Sequence, residues 1–193
     1  GREGVRRITF SGDVGGYVAG LLPDPTALPQ ADVIICESTY GDRDHPAIGD
    51  SVKELLGHVQ RVCVEQQGRL IIPAFSVGRT QEILHVLNHA YNEGKLPRVP
   101  VFVDSPLSIN ATGVYRKHSH LLRADIRKEL ESDPDLFGFP GVEFIREASR
   151  SKELNKRSGP SITIAASGMM DAGRVRHHLL HGLPDPKNAV LIV

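Results

Sequence analysis

An α/β fold, a mostly parallel sheet flanked by helices, is predicted by two features of this 193-residue chain. Short apolar runs alternate with amphipathic stretches, the pattern of strands and crossover helices. Several runs are rich in Val and Ile without polar alternation, as parallel strands covered on both faces require.

The expected strands, in order, are RRITF (6–10), DVIIC (32–36), RLIIP (69–73), PVFVD (100–104), VEFI (142–145), SITIAA (161–166) and AVLIV (189–193). Between them, Ser51 and Glu54 fit a capping box, and Val52, Leu55, Leu56, Val59, Val62 and Cys63 then recur at helical spacing until Gly68. A second helix is expected over 78–92, with Ile83, Leu84, Leu87, Ala90 and Tyr91 on one face. A third starts at Ser105-Pro106, a cap residue followed by proline at the first helical position. Residues 146–157 and 170–181 read as further helices. The more polar 118–141, with Pro134, Gly138, Pro140 and Gly141, reads as a surface helix and loop.

Lys plus Arg number 23 and Asp plus Glu number 23, so the formal net charge is zero. That argues against a blanket electrostatic grip on nucleic acid or an anionic membrane; polyanion binding must come from a focused site. Positive charge is concentrated over 146–157, where Arg146, Arg150, Lys152, Lys156 and Arg157 face only Glu147 and Glu153. Two cysteines, Cys36 and Cys63, cannot build a disulfide framework or a four-thiolate zinc site. They are expected to be buried, reduced thiols, which suits a cytoplasmic protein. No apolar stretch approaches the ~20 residues that span a bilayer. GREGVRR carries neither Met nor a signal-peptide core, and NAVLIV stops inside an expected buried strand, so an excised part of a larger protein is expected.

Chemistry-bearing residues gather at strand ends. Asp13 in FSGDVGG follows the first strand, with Gly15 and Gly16 leaving room beside it. The position suits a metal ligand or catalytic acid, and equally an Asp in a tight turn. Glu37 in CESTYGDR follows the second strand, where a carboxylate needs a cation, a histidine or backbone donors; a capping or ion-paired Glu fits as well. Three further junctions resemble one another: Ser76 with Arg79 in LIIPAFSVGR, Ser105 in PVFVDSP, and Ser167-Gly168 with Arg174 in ITIAASGMMDAGR. In a parallel sheet these strand ends share one edge, where open α/β sheets bind ligands and helix N-termini can cradle phosphates. For any one serine, helix capping explains the residue equally well.

None of the nine histidines makes a strong metal motif. His177 with His181, and His85 with His89, have i,i+4 spacing but no catalytic Glu between them, and read as solvated or core residues. His45, in the loop after Glu37, is kept as a site candidate. The nucleophile elbow G-x-S-x-G, the fingerprint G-x-G-x-x-G and the Walker loop are absent.

Taken in order, FSGDVGG, ADVIICESTYGDRDH, GRLIIPAFSVGRTQEIL, PVFVDSPLS and ASGMMDAGRVRHHL resemble the β-CASP ribonucleases of the metallo-β-lactamase superfamily, across essentially the whole chain. The likeness is to the bacterial and archaeal RNA-processing branch, similar to the eukaryotic pre-mRNA 3′-end endonuclease. The resemblance implies a Rossmann-like β-CASP domain over 45–193 and, over 1–44, a remnant of the metallo-β-lactamase domain. It implies that Asp13 is the carboxylate bridging two zinc ions, and that Glu37 orients a histidine that protonates the leaving oxygen. Ser76, Arg79, Ser105, Ser167, Gly168 and Arg174 would face the RNA backbone.

The family's HxHxDH word is absent from this chain, so Asp13 is the single zinc ligand that the resemblance supplies. The expectation is therefore a single-stranded-RNA clamp belonging to a zinc-dependent ribonuclease, inactive by itself and retaining neither zinc ion. The resemblance also allows a homodimer of the parent. Two alternatives stay open: a non-catalytic RNA- or nucleotide-binding subunit with a degraded metal site, and a phosphate-binding module unrelated to RNA.

Overall fold

The computed structural model describes residues 4–17, 20–44 and 48–193. Two parallel sheets are present. In the smaller, β1 (Ile8–Phe10) pairs with β2 (Val33–Ile35) in the register Ile8↔Val33 to Phe10↔Ile35. The larger contains β3 (Arg69–Pro73), β4 (Val101–Asp104), β5 (Val142–Phe144), β6 (Ser161–Ala165) and β7 (Ala189–Val190). Its spatial order is β5-β4-β6-β3-β7, parallel throughout.

Helices join these strands: α1 (Ile48–Val59), α2 (Arg79–Asn92), α3 (Pro106–Lys117), α4 (Ala124–Glu129), α5 (Ala148–Lys156) and α6 (Val175–Gly182). Successive side chains of a strand point to opposite faces, and the core divides accordingly. Leu70, Ile72, Val101, Val103, Ile162 and Ile164 face the large cluster that holds Leu55, Val59, Leu84 and Leu87 of α1 and α2. On the opposite face, Ile71 and Ala165 meet Val175 of α6, and Phe102 meets Leu154 of α5.

The connections fix where the sheet can bind a ligand. From β4 the chain moves outward to β5, whereas from the adjacent β6 it moves the other way to β7. Their following segments therefore diverge and leave a crevice beyond the carboxyl ends of β4 and β6.

Several expectations need correction. Helix α1 starts at Ile48, so Ser51 lies inside it and caps nothing; the helix then widens into a π-helical segment, Gln60–Glu65, that carries Val62 and Cys63 into the core. Residues 118–141 are more than a surface excursion. Leu122, Ile126, Leu136, Phe137 and Phe139 are buried there, with Phe139 stacked on Tyr91 at 5.3 Å and Phe137 edge-on to Tyr115 at 5.9 Å. Cys36 is exposed, not buried, and β2 is solvent-accessible along its length, because no layer covers this two-stranded sheet among the described residues. The last apolar run pairs only over Ala189–Val190, a half-buried edge strand, with Ile192 and Val193 exposed. Helix α6 begins at Val175 rather than 170. No helix among the described residues is long and apolar enough to cross a membrane.

Candidate nucleic-acid interface

The first junction leaves β3 through buried Ala74, whose N–H continues the ladder to the Ala165 carbonyl at 3.0 Å. The chain then turns outward at Phe75. Its carbonyl accepts from both the Thr80 amide (3.2 Å) and the Thr80 hydroxyl (2.7 Å), which fixes the turn before α2. Gly78 caps α2 at a φ of 83°, in the left-handed region that a side chain disfavours. Arg79 is exposed and donates to Glu82 on its own helix at 3.0 Å.

The second junction is joined to the first. Ser105 caps α3, accepting from the Ser108 amide at 3.2 Å, and its hydroxyl lies 3.3 Å from that of Ser76. Fully buried Gln81 ties the two together: its amide nitrogen donates to the Ser76 carbonyl, the Ser108 carbonyl and the Thr112 hydroxyl. Two hydroxyls share two protons, and one is used between them. The other has no protein acceptor among the described residues, so the pair offers a donor to a ligand.

At the third junction Ser167 donates to Asp171 at 2.7 Å and stands well before α6. The bare peptide of Gly168 lies against the first junction: a Cβ there would sit 3.1 Å from Cδ2 of Phe75. Arg174, in the segment after β6, reaches across the end of β4 toward β5, donating to Asp104 Oδ1 (2.7 Å) and to the carbonyls of Ile145 (3.1 Å) and Arg146 (2.7 Å). Asp104 is fully buried, and its other oxygen receives His178 (2.6 Å) and Ser151 (2.5 Å). Burial pushes its pKa up, but the hydrogen bonds from His178, Ser151 and Arg174 outweigh burial and hold it below the ordinary value. The end of β4 is thus tied to α5, α6 and the segment after β5 by the protein's own ions and hydroxyls.

Sequence reasoning brought Ser76, Ser105 and Gly168 to one edge, and the structure gathers them. It ties Arg174 to Asp104 instead of leaving its guanidinium open, and Asp104, His178, Gln81 and Phe75 were missed. An Asp ending a strand, with three helices between it and the helix of a buried His, carries no local signature, and Phe75 reads from sequence as one more apolar strand residue. In the basic stretch, Arg150 is bound by Glu143 (2.8 Å) and Glu153 (3.0 Å), and Arg146 by Asn110 (2.9 Å).

The acids of the small sheet form a separate group. Glu37 follows β2, and its oxygens accept from the amides of Thr39 (2.9 Å) and Val14 (3.1 Å). These bonds, with Thr39 the larger contributor, lower its pKa and keep the carboxylate charged. Because Val14 adjoins Asp13, they also draw the two strand-end loops together; Asp13 itself is exposed. No group of three or more His, Cys, Asp or Glu is placed to hold a metal among the described residues, so Asp13 does not make a zinc site with its described neighbours. His45 lies outside the described residues.

The fold and this edge define a class: a parallel α/β domain in which the junctions after β3 and β4 bring two hydroxyls together at one edge of the sheet. A Beta-Casp domain model matches residues 80–193, and the chain belongs to that family. It is 38% identical over 189 residues to Ribonuclease TTHA0252 of Thermus thermophilus, a match covering 97% of this chain and 43% of that protein. It is 35% identical over 190 residues to an RNase J-like protein of Methanocaldococcus jannaschii, with 97% and 43% covered. Endoribonuclease YSH1 of Kluyveromyces lactis is 30% identical over 192 residues, with 96% and 24% covered. The chain spans less than half the length of these relatives.

Proposed function

We propose that this chain is the RNA-clamping part of a metal-dependent ribonuclease that hydrolyses phosphodiester bonds. The Ser76–Ser105 hydroxyl pair carries the reading, since it presents a donor without a protein acceptor at the edge where two junctions meet. Relatives named ribonuclease or endoribonuclease, matching 96–97% of the chain, support the same class of reaction. A phosphate oxygen accepts from the hydroxyl pair, and Arg79 adds a charge that exchanges Glu82 for phosphate. Arg174 then acts from beneath, holding the end of β5 and the start of the Ser105 junction through Asp104.

Asp13 would supply one ligand of a zinc pair, and the remaining ligands would have to come from other residues of the parent protein. Zinc, when bound, would supply an activated water. Glu37 stays ionised, which suits orienting a histidine rather than giving up a proton itself. A cytoplasmic setting goes with two unpaired cysteines.

Fluorescence anisotropy of this chain with a short single-stranded RNA tests the clamp. The double variant Ser76→Ala/Ser105→Ala should weaken binding about tenfold, as loss of a charge-assisted hydrogen bond does. Arg79→Ala should weaken it and flatten the dependence on salt. Thermal melts keep folding separate, because Ser105 also caps a helix at about 1 kcal/mol. Unchanged affinity in both variants returns these residues to helix capping and removes the clamp.

A further inference from the structure

Phe75 is 55% exposed, although it directly follows five buried residues and precedes the hydroxyl pair. Its position is fixed from two sides. Thr80 holds its carbonyl through two hydrogen bonds, and Cδ2 and Cε2 of the ring would meet a Cβ on Gly168 at 3.1 and 3.2 Å. The ring therefore rests on the bare peptide of Gly168 while the rest of it stays open to solvent. Val77, Leu107 and Met169, which follow the three junction serines closely in sequence, are 60%, 60% and 70% exposed.

Apolar side chains in solvent beside a hydrogen-bond donor suit a ligand that alternates charged and aromatic parts. A single-stranded nucleic acid has that alternation. Phe75 and Ser76 are consecutive, with Cα atoms about 3.8 Å apart, so a phosphate on the hydroxyl pair and the base it carries fall within reach of both.

We propose that Phe75 is a stacking platform for a nucleobase, seated on Gly168, and that it selects unpaired RNA irrespective of base identity. The inference rests on the clamp reading above. Stacking is sequence-tolerant because every base has a π-face, and a duplex keeps its bases stacked on one another and withholds them from the ring. Gly168 acquires a function here: a larger residue would push the ring off its seat.

The test uses this chain and a short single-stranded RNA in which one abasic site is walked along the strand. Wild type should lose roughly 5- to 100-fold in affinity when the abasic site occupies one register. Phe75→Ala should lose a similar factor on intact RNA and become indifferent to the abasic position, whereas Phe75→Trp should keep both affinity and discrimination. Phe75→Leu keeps apolar area without a π-face and should behave like Phe75→Ala; if it matches wild type, stacking is overturned. Ser76→Ala/Ser105→Ala should bind weakly yet keep the abasic discrimination. Equal affinity of Phe75→Ala and wild type, with RNA still bound, overturns the platform but leaves the clamp. Failure of wild type to bind single-stranded RNA even at low salt overturns the clamp, and the platform with it.

Discussion

The two parallel sheets are built from similar words and meet opposite fates. VII of β2 and LII within β3 differ little in composition, yet Ile34 is 50% exposed whereas Ile72 is fully buried. Their strand-end carboxylates differ in the same sense. Glu37 is exposed and held by backbone amides; Asp104 is sealed in and held by a guanidinium, an imidazole and a hydroxyl. An apolar run makes a strand, but layers on both sides make it a core strand. A carboxylate can stay charged in either setting if enough donors converge on it.

The largest effect that separates the regions should come from Asp104→Ala. It leaves Arg174 and His178 without their shared partner and should cost about 3–5 kcal/mol in urea unfolding. Because the folded-state pKa of Asp104 is depressed, its contribution is complete above the ordinary value of 3.8 and is lost as pH falls through the folded-state pKa. A wild-type stability curve that falls below pH 3.8, with a smaller fall in the variant, would confirm it; equal acid sensitivity would place the ionisation elsewhere. Next in size, Ile164→Ala in β6 should cost about 2–5 kcal/mol. Ile34→Ala in β2 should cost less than about 1 kcal/mol. Equal losses from the two isoleucines would mean that the small sheet is covered in solution.

Thiol chemistry gives the smallest and most direct contrast. Cys36, after β2, should react with an aromatic disulfide reagent in the native protein. Cys63 is buried, and burial pushes its thiol up to about 11, so it should react only on unfolding or at strongly alkaline pH. Reaction of two thiols at equal rates near neutral pH would contradict that assignment.

Much of the fold was legible because its signals are local. Proline after Ser105 marks the start of α3, and the Val/Ile runs mark β3, β4 and β6 almost to the residue. The signals failed where tertiary contacts overrule composition. Ser51 and Glu54 have capping spacing, but Ile48 already lies in helix. The polar look of 118–141 hides Phe137 and Phe139, which the chain turns inward onto Tyr115 and Tyr91. The candidate site divides in the same way. Its serines are visible as residues after strands, whereas the Asp104–Arg174 pair spans 70 positions and has no local pattern.

By itself the sequence determined the strands, most helices, the parallel α/β class and the placing of hydroxyls at strand ends, because period and capping act over a few residues. Strand order did not follow from it. Insertion of β6 between β4 and β3 opens the crevice and brings Arg174 and His178 onto Asp104. It also brings Gly168 beneath Phe75. These contacts join residues far apart along the chain, and only in the assembled sheet do their hydrogen bonds and burial offset the loss of chain entropy.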